Sequence, residues 1–352
     1  MAAPSEAAGP TSPQTTGPPG PRARNPMAVL LDQARSVAEP RSDDQASRLR
    51  DLVDSLRSTR TEAPSSPEQQ RKPSVPVIVF ASGKGGVGKT CTAVNTAAIM
   101  AASGLRITLL DADMGTANAD VLCGVNPRRR LDAWNTSTLD RLASPTPYGF
   151  SLVPGPTGAM ADLSASDRAR LPSRLAELDS ACDAILIDAG AGIGPCVRAV
   201  VGAADIAVVV TGPEPTSIAD AYALIKVTIR APAGVPRPSR MGVLVNMAEN
   251  EAQAAAVYAR IASVADRFLG FRPAYLGWIP RDEAVGESVR TRKPLVCQES
   301  DAPAALGWAS LARGLCDQCG LDGRSPTTQS DLQRSSGLSG RQQRSVFRAK
   351  VK

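Results

Sequence analysis

Nine residues, Ser82–Thr90 (SGKGGVGKT), are where chemistry is most concentrated in this chain. An apolar run, Val75–Ala81, precedes them, and a helical pattern, Thr90–Ala102, follows. A strand that feeds a glycine-rich turn and then opens a helix makes a cradle for phosphate. Gly83, Gly85, Gly86 and Gly88 let backbone N–H groups turn inward toward an anion, and the helix N-terminus adds positive partial charge. Lys89 is spaced to reach the β- and γ-phosphates, and the Thr90 hydroxyl to hold Mg²⁺. The expected ligand is a nucleoside triphosphate with Mg²⁺, held along Gly83, Lys84, Gly85, Gly86, Val87, Gly88, Lys89, Thr90 and Cys91. Lys84 stands out, because an ordinary glycine-rich loop has no need of two lysines in one turn.

Carboxylates recur where strand patterns end. Asp111 and Asp113 follow the run Arg106–Asp111, and Asp188 closes Ala184–Asp188. A carboxylate at a strand end beside such a loop can hold Mg²⁺ through water. Further strand patterns are Phe150–Pro154, Ile206–Thr211, Met241–Asn246 and Ala274–Ile279. Helical patterns separate most of them: Ser166–Ser180, Val197–Ala203, Ser217–Arg230, Glu251–Phe268, Glu283–Arg292 and Ala304–Cys316. Short apolar strands alternating with helices predict an α/β fold with a doubly wound, mostly parallel sheet and helices on both faces. Ligands of such sheets bind at the carboxyl ends of strands, where these polar residues fall.

Composition sets the outer limits. The chain has 352 residues and a formal net charge of +6. Residues 1–75 hold 11 of the 29 prolines, with much Ser, Thr and Gly, and read as a mostly disordered arm over 1–74. Residues 75–319 form one large α/β domain. Residues 76–319 carry 23 basic and 23 acidic side chains, whereas residues 320–352 carry 7 basic and 2 acidic. The excess charge therefore belongs to the tail, which suits an anionic surface, lipid or nucleic acid. There is no histidine, which excludes imidazole catalysis and histidine metal sites. No apolar run approaches membrane-span length, and the N-terminus lacks a charged-then-apolar leader, so a cytoplasmic location is expected. The seven scattered cysteines fit reduced thiols.

The doubled lysine of KGGVGKT resembles the deviant Walker A loop of the MinD/ParA superfamily. That resemblance implies an ATPase with ATP and Mg²⁺ as ligands. It also implies an ATP-dependent homodimer in which Lys84 reaches across to the partner's nucleotide. Carried over residue by residue, Asp111 and Asp188 serve the water shell of the metal, and Asp113 positions the attacking water. Asn246 reads the adenine edge, and the loop Pro280-Arg281-Asp282 covers the base through Pro280 and Asp282. Lys84, Lys89 and Asp113 are then the catalytic set.

Three segments narrow the resemblance to the flagellar-number regulators FlhG/FleN. Thr116–Val125, TANADVLCGV, is similar to that family's LANADVLLGL, with Thr116 and Cys123 in place of leucines. Leu186–Ile193, LIDAGAGI, is similar to its LIDTGAGI. In the arm, Asp44, Gln45, Ala46, Leu49 and Arg50 match its DQAxxLR element, which implies stimulation of an FlhF-type GTPase. Ser42 and Gln45 also make a capping box ahead of an apolar stripe, Ala46, Leu49, Leu52, Val53 and Leu56, at helical spacing. An imperfect second copy begins at Asp32. The family further implies flagellar rotor proteins and a transcription activator as partners, and a peripheral position at the inner face of the membrane. The tail departs from the family's amphipathic ending. Val346, Phe347 and Val351 stand among Arg341, Arg344, Arg348, Lys350 and Lys352, which leaves a weak electrostatic membrane contact. Two other classes compete. A DNA-partition ATPase would use the basic tail, and DNA is the less favoured partner. An iron–sulfur carrier would use Cys196 and the Cys316/Cys319 pair.

Overall fold

The strand runs show no polar alternation, as expected where both faces of a sheet are covered. A computed structural model describes residues 71–131, 134, 136–157 and 163–321, within a compact unit that begins at Gln69. The arm element Asp44–Arg50, the copy at Asp32 and the basic tail lie outside the described residues.

From the N-terminal side, β1 (Val77–Ser82) passes through the glycine loop into α1 (Lys89–Ala102) and β2 (Ile107–Ala112). Two short helices follow, α2 (Ala119–Leu122) and α3 (Leu139–Leu142), then β3 (Ser144–Pro145) and β4 (Ser151–Val153). Next come α4 (Ala165–Leu175), β5 (Ala184–Ala191), α5 (Pro195–Gly202), β6 (Ile206–Thr211) and α6 (Pro215–Ile229). The chain continues through β7 (Arg240–Ala248), α7 (Glu251–Leu269), β8 (Ala274–Pro280), α8 (Glu283–Thr291) and α9 (Pro303–Cys319). The strands form one sheet in the order β3-β4-β2-β5-β1-β6-β7-β8. Every neighbouring pair is parallel except β3 with β4.

β1 lies inside this sheet and alternates its side chains between two cores. Val77, Val79 and Ala81 pack with α4, α5, α6 and α7. Ile78 and Phe80 pack with α1 and α9. Helix α1 buries ten of its fourteen residues, so it is clamped on more than one side and holds the loop's C-terminal end still. Part of that clamp is polar. The Trp308 indole N–H on α9 donates to Thr92 Oγ1 at 3.3 Å, and the Thr92 hydroxyl donates to the Gly88 carbonyl at 2.9 Å. Trp308 and Phe80 are among the largest fully buried side chains. Truncating either to alanine removes about 3–5 kcal/mol.

The doubly wound sheet expected from the pattern is the one observed. Differences lie at the ends. Strand β3 has no counterpart in the pattern: it is two residues long and contains a proline, so it has no periodicity to read. β5 runs on through Asp188 to Ala191, and β7 through Asn246 to Ala248, beyond the polar residues expected to close them. Helix α4 stops at Leu175, and a 3₁₀ turn over Ala176–Leu178 takes up the rest of the Ser166–Ser180 pattern. No helix among the described residues is long and apolar enough to cross a membrane.

Candidate nucleotide-binding site

The glycine loop emerges from the carboxyl end of β1 and enters α1 through Gly86 and Gly88, whose φ angles are 81° and 80°. L-residues with a Cβ avoid that region, so these two glycines are required by the turn itself. Gly83 is required by crowding. A Cβ there would lie 2.0 Å from the carbonyl oxygen of Asp220 on α6. Gly85 is different: a Cβ there would meet nothing within 4 Å, so it faces open space. The N-terminus of α1 has no side-chain cap and no acidic residue in its first turn. Its first N–H groups are therefore left for an anion.

Beneath the loop, Lys89 Nζ donates to Asp188 Oδ1 at 2.6 Å, and both side chains are buried. The neighbouring Thr90 hydroxyl, after Lys89, works to lower the Asp188 carboxyl. The other carboxylate oxygen, Asp188 Oδ2, is buried without a hydrogen-bond partner. Asp111 sits directly beside it, because β2 and β5 pair Asp111 with Asp188 in register. Asp111 is fastened to its own connection: Oδ1 accepts from Asp113 N at 3.1 Å, and Oδ2 from Asn118 N and Ala119 N at 3.0 Å each. Burial, and then the neighbouring Asp188 charge, push Asp111 up to about 7. Burial also pushes Asp188 up, against the pull of Lys89. Two buried carboxylates thus face one buried lysine. A hydroxyl, an orphaned carboxylate oxygen and surplus negative charge beside a phosphate cradle form a donor set that Mg²⁺ fits, with phosphate oxygens and water completing its shell. Among the described residues no three Cys, Asp, Glu or His side chains gather to hold a metal ion.

Asp113 lies above this pair. Its Oδ1 accepts from Gly115 N at 3.0 Å and Thr116 N at 2.9 Å, while Oδ2 meets only the Thr116 hydroxyl, at 3.3 Å. It faces Gly190, two residues past Asp188. Lys84 is exposed, and its Nζ donates to Thr216 Oγ1 at 2.9 Å at the start of α6. Thr216 and Asp220 had no signal in the sequence, since both contacts bridge more than 130 residues.

The residues assigned to the adenine side sit differently. Asn246 is buried within β7, and its amide braces the loop: Nδ2 donates to the Val87 carbonyl at 2.8 Å, and Oδ1 accepts from Met247 N at 2.9 Å. The next residue, Met247, has φ 58°, a strained value for a side chain with a Cβ. Asp282 caps α8 by accepting from Ala284 N at 2.9 Å and ties in α9 by accepting from Ala304 N at 3.1 Å. Its carboxylate is therefore committed to backbone. Pro280 ends β8 opposite Ala248. Of the cysteines considered for a cluster, Cys196 lies buried on α5, and Cys316 and Cys319 lie half-buried on α9. Burial pushes the Cys319 thiol up to about 11.

A glycine loop at a strand's carboxyl end, an uncapped helix start and a lysine over two carboxylates define a P-loop nucleotide-binding protein. The profile of the CbiA family, the CobQ/CobB/MinD/ParA nucleotide binding domain, matches residues 78–295. The chain belongs to this MinD/ParA family, and within it to the FlhG/FleN group. It is 37% identical over 243 residues to the antiactivator FleN of Pseudomonas aeruginosa, covering 68% of this chain and 85% of that protein. It is 32% identical over 223 residues to the flagellum site-determining protein YlxH of Helicobacter pylori, covering 62% and 74%. Among solved structures, the septum site-determining protein MinD of Pyrococcus horikoshii, complexed with Mg-ADP, has a TM-score of 0.58 at 20% identity, covering 71% and 99%. At that identity the likeness concerns the fold.

Proposed function

We propose that this chain is a slow ATPase used as a switch, and that the switch sets flagellar number and placement. The carrying observation is the buried Lys89–Asp188 pair with its orphaned oxygen, held under an uncapped helix start. The kinship with an antiactivator and a flagellum site-determining protein supports the flagellar role.

In this reading the loop N–H groups and Lys89 hold the phosphates of ATP. Thr90 and, through water, Asp111 and Asp188 would hold Mg²⁺, which would supply charge neutralisation at the phosphates. Asp113 orients water through Oδ2, the less engaged of its two oxygens. Lys84 leaves Thr216 and reaches the nucleotide of a second copy, so that the closed state is a dimer. Asn246, Pro280 and Asp282 shape the base side, Asn246 by bracing Val87 and Asp282 by fixing α8 and α9. Asp44, Gln45, Ala46, Leu49 and Arg50 form the element that stimulates an FlhF-type GTPase. Rotor proteins and a transcription activator are the further partners, and the basic tail makes weak contact with the inner membrane surface.

The test is the full chain with Asp113→Ala. It should bind ATP, stop hydrolysing it and sediment as a dimer. Hydrolysis at the unaltered rate would refute the role given to Asp113, and a monomer at saturating ATP would refute the dimer. Deleting residues 41–60 should remove stimulation of the GTPase without changing ATP turnover.

A further inference from the structure

A second concave site lies at the far edge of the sheet. Its lining includes Val125, Asn126, Pro127, Arg128 and Arg129 from the segment after α2, Arg141 on α3, Ser144 and Pro145 of β3, and Leu152 of β4; its volume is about 340 Å³. The folded body around it is electrically balanced, with 23 basic and 23 acidic residues over 76–319, so three arginines on one hollow do not simply reflect an overall excess. Among the described residues, no carboxylate pairs with Arg128, Arg129 or Arg141. The neighbouring Arg130, by contrast, is paired with Asp120 and partly buried. The two walls are also joined, because Arg129 Nη1 donates to the Arg141 carbonyl at 3.2 Å.

We propose that this hollow binds a phosphate ester of about mononucleotide size. The phosphate is held by Arg128, Arg129 and Arg141, and the organic part rests on Pro127 and Pro145. Planar guanidinium forks match phosphate oxygens in pairs, and such charge-assisted bonds are the stronger kind. Asn126 and Ser144 add an amide and a hydroxyl for orientation. The volume is at the lower end of the range for small-ligand sites. An extended peptide fits less well. The adjoining edge strand is only Ser144–Pro145, and proline offers no N–H to a strand added alongside.

The test uses the full chain with its P-loop filled by a non-hydrolysable ATP analogue and Mg²⁺, so that added ligand reads the second site. AMP and inorganic phosphate are titrated calorimetrically at fixed ionic strength. AMP should bind saturably, about tenfold or more tighter than phosphate alone. Arg128→Gln and Arg141→Gln should each weaken AMP about tenfold, and Arg260→Gln on α7 should leave it unchanged. Unaltered thermal melting of the variants establishes that they fold. Absence of saturable AMP binding, or affinity unchanged in both hollow variants, overturns the site. Phosphate binding as tightly as AMP overturns the part assigned to the organic moiety. Saturable binding of a glutamate-rich peptide that AMP does not displace overturns the choice of a phosphate ester.

Discussion

Lys89 Nζ rests 2.6 Å from one oxygen of Asp188, while the other oxygen of that carboxylate, equally buried, has no hydrogen-bond partner. A buried acceptor without a partner costs about 1–3 kcal/mol. The cost is tolerable when a ligand is to remove it. The lysine meanwhile partly neutralises two adjacent carboxylates, Asp111 and Asp188, that the sheet register forces together. On ligand entry its charge would be shared with phosphate, and the metal's charge would replace it at the carboxylates.

Lys89→Ala leaves Asp188 buried with no cation. It should abolish nucleotide binding and lower stability to urea by about 3 kcal/mol, the scale for breaking one half of a buried pair. Adding Asp188→Asn should restore part of that stability but none of the binding, because the two residues are coupled. Strictly additive losses in urea would mean that the pair contributes nothing as a pair.

The loop, the order of strands and helices and the two carboxylates at strand ends could be read in the sequence, because each leaves a local mark. The marks are glycine spacing, apolar runs and an acid at a run's end. What could not be read is what side chains do across the sheet. Asn246 looks like a base reader at a strand end, yet β7 continues past it and its amide turns to Val87, 159 positions away. Asp282 looks like part of a covering loop, yet its two oxygens serve Ala284 and Ala304. Lys84 stands out by its position, but its hold on Thr216 depends on where β6 delivers α6. Such long-range pairings have no periodicity to betray them.

The glycines of the loop differ in why they are there, and alanine substitution separates the reasons. Gly83→Ala drives a methyl group against the α6 backbone at Asp220. A helix backbone cannot give way as a side-chain end can, so the loss should be about 2 kcal/mol or more, with weaker ATP binding. Gly85→Ala meets only open space. Its stability should stay within about 0.5 kcal/mol of the unaltered chain. Urea titration of the two variants side by side makes the comparison, and equal losses would contradict the packing of the loop on α6.

Asn246→Ala separates bracing from base reading. A brace acts on the loop whatever base is bound. Its loss leaves the Val87 carbonyl without that donor, a penalty of about 1–3 kcal/mol, and loosens the phosphate cradle. Affinity for ATP and for GTP should then fall by the same factor, about tenfold, so that the preference between them is preserved. A base reader acts otherwise: ATP alone would weaken and GTP would draw level. Equilibrium titration of both nucleotides against the variant and the unaltered chain distinguishes these outcomes. Met247 sharpens the distinction, because its φ is 58° and its N–H is held by Asn246 Oδ1. Once that bond is gone, the backbone at Met247 is free to relax toward negative φ, and β7 should exchange its amide hydrogens faster at this end than at Arg240.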